Sequence, residues 1–288
     1  MKRIILRALI FLLVLAGAVA ALIAYRFNRM ANEPHTAADF TISADVQTAD
    51  PRLGERIYSV RAGCIDCHGE NLAGAKVMEN GAMGSIHGPN LTPFALKDWS
   101  DEEIARAIRY GIHQEGRSLH FMPSFEYVGF SKGDIAALIA YLRSVPAVES
   151  TPHVNSFGPV ARTLAVFGKM PIMFPASIID LQQGFAEKPA EGGTAEFGRY
   201  LAASCTGCHG ADFQGGPIPG GDPSWPPASN IRLGADPVWS LESFTTMIRT
   251  GTSPTTGVAM RPPMPVHLLK QLNEEEITAL WKYLGSLK

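Results

Sequence analysis

The sequence carries no excess of charge of either sign. Its 25 lysines and arginines and 27 aspartates and glutamates leave a net charge of −2 over 288 residues. A nucleic-acid-binding domain has a basic excess, and none is present, so no nucleic-acid partner is expected. Charged residues make up 18% of the chain and hydrophobic ones 46%, which excludes a disordered chain. Cysteine is scarce. All four lie in two Cys-x-x-Cys-His units, so none is left for a separate disulfide framework. No segment has the sustained alternation of a half-buried strand. A second long apolar run is also missing. The nearest, residues 160–174, is broken by Arg162, Lys169 and Pro171, which argues against a second membrane span.

Glycine and proline are abundant, at 28 and 21 residues. They imply loop-rich domains that something other than long helices must organise. The N-terminus is different. Residues 8–25 form 18 consecutive residues without a charge, after Lys2, Arg3 and Arg7. That length is near the minimum for a helix spanning a bilayer, and the basic cluster would hold the N-terminus in the cytoplasm. Ala18-Val19-Ala20 has the form of a signal-cleavage site, but apolar residues continue to Tyr25. The preferred expectation is an uncleaved single-pass anchor in the inner membrane with the body of the chain in the periplasm. The alternative is a soluble periplasmic protein after cleavage.

The body of the chain is duplicated. Cys64 and His68 recur 141 residues later as Cys205 and His209. Asn90 and Trp99 recur as Asn230 and Trp239, and Met122-Pro123 as Met264-Pro265, at offsets of 140 to 142. Two copies at this spacing are a duplicated domain rather than a solenoid. Ser100 with Glu103, and Asn273 with Glu276, have the capping-box form, and Ser131 with Asp134 opens a further helix. Apolar residues then fall on one helical face: Ile104 and Ile108, Ile135 to Leu142, and Ile277 to Leu284. The expected organisation is an anchor over 1–30, a short linker over 31–48, a first domain over 49–148, a linker over 149–190 that packs against both domains, and a second domain over 191–288.

Three chemistries use Cys-x-x-Cys-His. Paired Cys-x-x-Cys units can hold zinc. A redox dithiol uses the same spacing beside a βαβ pattern, which is missing here. The unit is also the signature of c-type haem attachment, in which two cysteines bind one porphyrin and the adjacent histidine lies under the iron. A large flat apolar cofactor would also give a loop-rich domain of this size its core.

Both halves resemble the class I cytochrome c family, and the whole chain resembles the membrane-anchored dihaem cytochromes c of bacteria. The resemblance covers residues 49–148 and 191–288. It implies a mainly α fold, two tandem class I cytochrome c domains after an N-terminal transmembrane helix, with two haem c groups. By the same resemblance the haems attach at Cys64, Cys67, Cys205 and Cys208. The proximal iron ligands would be His68 and His209, and the distal ligands Met122 and Met264. His/Met ligation raises haem potential in cytochromes c. Met260, Met170, Met173, His120 and His267 are the competing ligands; the two histidines are otherwise expected to face solvent. His35, His87, His113 and His153 have no assigned role. Trp99 and Trp239 are expected to pack near the haems.

The resemblance implies an electron carrier rather than an enzyme. Its partners would be redox proteins: a dehydrogenase, a quinol-oxidising complex, an oxidase or a soluble cytochrome. A cytochrome subunit of a periplasmic dehydrogenase complex is the second reading and a dihaem peroxidase the third. One departure stands out. The family's proline before the middle-loop asparagine is Pro89 in the first half but Ser229 in the second. Its carbonyl orients the proximal histidine, so unequal haem potentials are expected.

Overall fold

The computed structural model describes residues 1–222, 224–234, 239–254 and 256–288. Helix α1 (Lys2–Ala31) leads the chain. Among the described residues it is the one helix long and apolar enough to cross a membrane. Its residues are exposed except near the exit end, where Phe27 is buried.

The first domain begins with α2 (Pro51–Arg56), which runs on as a π-helical turn over Ile57–Arg61. Helix α3 (Ile65–His68) carries the first Cys-x-x-Cys-His unit. Strands β1 (Ala75–Asn80) and β2 (Gly84–Gly88) follow, then α4 (Asp101–Tyr110), α5 (Ser124–Tyr127) and α6 (Lys132–Ser144). The linker adds strand β3 (Ser156–Phe157) and helix α7 (Pro159–Val166). The second domain repeats the plan with α8 (Ala195–Leu201), α9 (Thr206–His209), α10 (Leu241–Thr250), α11 (Val266–Leu269) and α12 (Glu274–Ser286).

The expected caps form. The Ser100 hydroxyl accepts from Glu103 N–H, and the Glu103 carboxylate accepts from Ser100 N–H. Asn273 and Glu276 make the same reciprocal pair. Helices α4 and α10 both stop at a left-handed glycine, Gly111 and Gly251, a conformation that glycine adopts without steric cost. The predicted apolar faces of α6 and α12 are buried, with Ile135, Ile139 and Ile277 fully covered.

Each domain closes by laying its last helix across its first. A Cβ added to Gly54 would stand 2.0 Å from the Ala137 carbonyl oxygen of α6, and one added to Gly198 would stand 2.0 Å from the Ala279 carbonyl oxygen of α12. Two helices can approach this closely only where no side chain separates them.

The sheet departs from the sequence reading. Strands β1, β2 and β3 form an antiparallel sheet in that order, with Ala75 opposite Gly88 and Ser85 opposite Ser156. The register slips between Lys76 and Met78, which breaks the alternation that marks a strand in sequence. The linker meets both domains, unequally. It packs mainly on the first domain and on the exit end of α1. Phe27 meets Phe157 at 5.5 Å and Phe174 at 5.3 Å between ring centroids, in a cluster with Ala161, Met170 and Met173. The fully buried Arg109 anchors the linker further on, donating to the Gln183 and Gly184 carbonyls at 3.1 and 2.7 Å. The linker reaches the second domain where Met170 lies beside Gly220.

The two domains are held together by a buried carboxylate. Glu276 is wholly buried and accepts from Arg61 Nε at 2.8 Å and from the Arg56 guanidinium. Arg61 also grips Glu191 with both terminal nitrogens, at 3.0 and 2.9 Å. A second link joins buried Asp134 of α6 to Tyr200 Oη of α8 at 2.6 Å and to Lys188 Nζ at 2.7 Å. Burial opposes ionisation of Glu276, but the bonds from Arg56, the Asn273 cap and Arg61 outweigh it and hold its carboxyl below the usual range.

Two outcomes follow. Gly198→Val forces α8 and α12 apart, with an expected loss of about 1–3 kcal/mol in chemical denaturation; unchanged stability would contradict the close crossing. A group with a depressed folded pKa stabilises above its unfolded pKa and loses that contribution as pH falls through the folded value. Domain docking should therefore weaken in acid, and Glu276→Gln should remove that part of the acid dependence in pH-resolved melts.

Candidate haem sites

Each Cys-x-x-Cys-His unit forms one turn of helix and ends at a glycine with φ 78°, Gly69 in the first domain and Gly210 in the second. In the first domain the turn rests on the end of β2. A Cβ on Gly88 would stand 1.9 Å from the Cys67 carbonyl oxygen, so β2 runs directly under the attachment turn. The chain then turns at Pro89, and the Pro89 carbonyl lies 2.9 Å from His68 Nδ1. A carbonyl can only accept, so Nδ1 carries the proton and Nε2 keeps its lone pair. His68 is buried, and burial lowers its pKa against the opposing pull of the Pro89 carbonyl. The imidazole is thus neutral, oriented and ready to ligate.

The second domain makes the same arrangement with a different residue. His209 Nδ1 lies 2.8 Å from the Ser229 carbonyl oxygen. The change from Pro89 to Ser229 leaves the orienting contact in place. The backbone carbonyl makes the bond, and serine supplies one as well as proline does.

All four cysteines have unpaired thiols. Burial pushes Cys64 and Cys205 up to about 12 and Cys67 to about 11. Redox-active dithiols have lowered pKa values, so the dithiol alternative has the wrong electrostatics. The zinc alternative lacks its geometry: among the described residues no three His, Cys, Asp or Glu side chains converge.

A cavity of about 2100 Å³ runs between the domains, lined mostly by apolar atoms. Cys64, Cys67, His68 and Met122 line it from the first domain, and Cys205, Cys208, His209 and Met264 from the second. Trp99 and Trp239 line it too. Its volume and apolar walls, with two free thiols beside each oriented histidine, fit a porphyrin at each end.

The hydrogen bonds fix the equivalence of the two methionine turns. Glu126 N–H donates to the Pro123 carbonyl at 2.9 Å, and Leu268 N–H donates to the Pro265 carbonyl at 3.0 Å. Met122 and Met264 therefore occupy matching positions. Met260 also lines the cavity, but its N–H bonds the Gly251 carbonyl as Leu119 N–H bonds that of Gly111. It is the counterpart of Leu119. Met170 and Met173 are buried in the linker cluster. His120 is corrected from a solvent-facing histidine: its ring packs on Phe157 and Phe174, and burial lowers its pKa to about 4. His267 is exposed and lies 2.7 Å from Asp66 of the other domain. His87 and His153 stack on each other at 3.4 Å, and His113 packs edge-on to Trp99.

Sequence reasoning missed how the domains meet at these sites. Helix α5 of the first domain lies on Gly207 of the second attachment turn, and Leu268 of α11 lies on Gly63 beside the first. Each methionine loop covers the other domain's attachment turn. Nothing in one half's sequence signals a contact made by the other.

Fold and site together define a dihaem c-type cytochrome. Residues 195–288 match the cytochrome c family, and residues 49–142 match the family described as cytochrome c oxidase, cbb3-type, subunit III. The chain belongs to the cytochrome c family and takes two haem c groups. It is similar to a subunit of the nicotinate dehydrogenase of Pseudomonas putida, 30% identical over 78% of this chain and 20% of that protein. It is also similar to the gluconate 2-dehydrogenase cytochrome c subunit of Pantoea cypripedii, 28% identical over 86% of this chain and 62% of the relative. The fructose dehydrogenase cytochrome subunit of Gluconobacter japonicus is 25% identical over 80% and 51%. The chain thus spans from a fifth to about three fifths of the length of these relatives.

Replacing Cys205 and Cys208 together with alanine should halve the covalently bound haem, read from the mass of the denatured chain and from haem staining. Two haems retained on that variant would contradict the assignment.

Proposed function

We propose that this protein is a one-electron carrier at the periplasmic face of the inner membrane, held there by α1, with both irons closed by a histidine and a methionine. Haem c supplies the one-electron iron couple when bound. The domains that hold it are taken as residues 49–148 and 191–288. His68 and His209 would ligate through Nε2, with Nδ1–H donated to the Pro89 and Ser229 carbonyls. That bond fixes the ring and raises the basicity of the ligating nitrogen. Met122 and Met264 would close the opposite faces, and the apolar walls would keep water from the iron.

The observation that carries this reading is the shared cavity. All eight proposed residues line one continuous space between two docked domains. An electron entering at one site can reach the other through atoms already in contact.

The similarity to dehydrogenase subunits favours a more specific version. In it the electron donor is a periplasmic dehydrogenase and this chain is the electron-transfer subunit that receives from it. Co-purification of a stoichiometric flavoprotein or other dehydrogenase in mild detergent supports this version, and a solitary cytochrome counts against it.

Met122→Ala and Met264→Ala should each remove one haem's share of the weak methionine–iron charge-transfer band and lower that haem's potential. An unchanged spectrum in either variant would show that the ligand is wrong.

A further inference from the structure

The two methionine loops are built alike but end on different chemistry. Four residues after Met122 stands Glu126; at the matching place after Met264 stands Leu268, as the equivalent bonds to Pro123 and Pro265 establish. Each side chain presses on the other domain's attachment turn. Leu268 Cδ1 lies 3.0 Å from where a Cβ on Gly63 would stand, next to Cys64. Glu126 Oε1 lies 1.8 Å from where a Cβ on Gly207 would stand, between Cys205 and Cys208. The first attachment turn therefore meets an isobutyl group and the second a carboxylate.

That carboxylate is unusual for its position. It lines the inter-domain cavity and makes no hydrogen bond or ion pair among the described residues. The first turn has its own acid, Asp66, but Asp66 is bonded to His267. Leaving a carboxylate partly buried without a partner costs stability, so a stabilising role does not account for Glu126. Desolvation is the only cause of its pKa shift, with no charged group offsetting it. On the second attachment turn Cys205 and Cys208 are the thioether positions. On α5 itself the Tyr127 hydroxyl is donated to the Ala62 carbonyl at 2.9 Å. On the first attachment turn Cys64 and Cys67 are likewise thioether positions. From α4, Arg109 donates its terminal nitrogens to Tyr110 Oη and to the carbonyls of Val128, Gln183 and Gly184. From the π-helical turn after α2, Arg61 is committed to Glu276 and Glu191.

We propose that Glu126 of the first domain sets the potential of the second haem and ties its reduction to uptake of one proton. The inference rests on haem attachment at Cys205 and Cys208. An ionised carboxylate beside the attachment turn opposes arrival of an electron there, through a medium less screening than water. When a one-electron donor reduces that haem, the carboxylate takes one proton from solvent, so the added negative charge is cancelled. No other bond forms or breaks. Burial alone already raises Glu126 to about 8, within reach of such a proton exchange near neutral pH. The first haem is faced by Leu268, and the acid on its own turn, Asp66, is paired with His267. This asymmetry replaces the Pro89/Ser229 difference as the ground for unequal potentials.

The test is a spectroelectrochemical titration of the full-length, two-haem protein in detergent across neutral pH. In the parent protein one potential should fall as pH rises and the other should stay level. Glu126→Gln, nearly isosteric, should raise the pH-dependent potential and flatten it. The expected change is on the order of tenfold in the electron's partition between the haems, the equivalent of about 59 mV. Glu126→Leu, which copies Leu268, should do the same. Gly207→Ala, which pushes the carboxylate aside, should move the same potential and leave the other. Potentials that stay put in all three variants, or that move together, overturn the proposal. Haem content and the methionine band are read on each sample. Two intact haems with unmoved potentials refute the role of Glu126 alone, whereas missing haem or a missing band in the parent protein refutes the reading on which it rests.

Discussion

A glycine pressed against a backbone carbonyl governs each half of this molecule. Gly54 on Ala137, and Gly198 on Ala279, let the last helix of each domain lie directly on the first. The attachment turn follows the first helix within a few residues, and the methionine turn precedes the last. The crossing therefore sets where cysteines, histidine and methionine stand relative to one another. A loop-rich chain has few other fixed points, because its connecting loops carry little burial of their own. Two short helices locked at contact distance give those loops a frame, and an apolar cofactor gives them a core.

The second constraint is electrostatic. Glu276 caps α12 and at the same time receives Arg56 and Arg61 from the other domain. One carboxylate thus completes a helix and fixes an interface. Burying such a network is not by itself stabilising, since desolvation offsets much of the attraction. Its value lies in register: a docking that kept Glu276 buried but moved Arg56 and Arg61 away would leave its charge uncompensated, at a cost of about 3–5 kcal/mol. The register it selects is the one in which each methionine loop covers the other domain's attachment turn and both sites open into one space.

Much of this was legible in the sequence. The repeat offsets paired the proposed attachment and ligand positions of the two halves, which line one cavity, and the capping boxes at Ser100 and Asn273 placed the helices, because those signals are local and chemical. The β1–β2 hairpin was not legible, since a slip between Lys76 and Met78 erases its alternation. The Pro89-to-Ser229 difference does not alter the histidine's partner, because a backbone carbonyl makes that contact in both halves. Buried Arg109, the Asp66–His267 pair and Glu126 on Gly207 were invisible because each depends on a partner far along the chain. A repeat compares the halves with each other but carries no record of how they touch.

The central claim is that both irons are closed by histidine and methionine, so that the chain carries electrons rather than transforms a substrate. Low-temperature EPR combined with near-infrared magnetic circular dichroism of the oxidised, full-length protein tests it most directly. The account predicts two low-spin His/Met centres per chain. A high-spin iron, a bis-histidine centre, or a single haem per chain would contradict it.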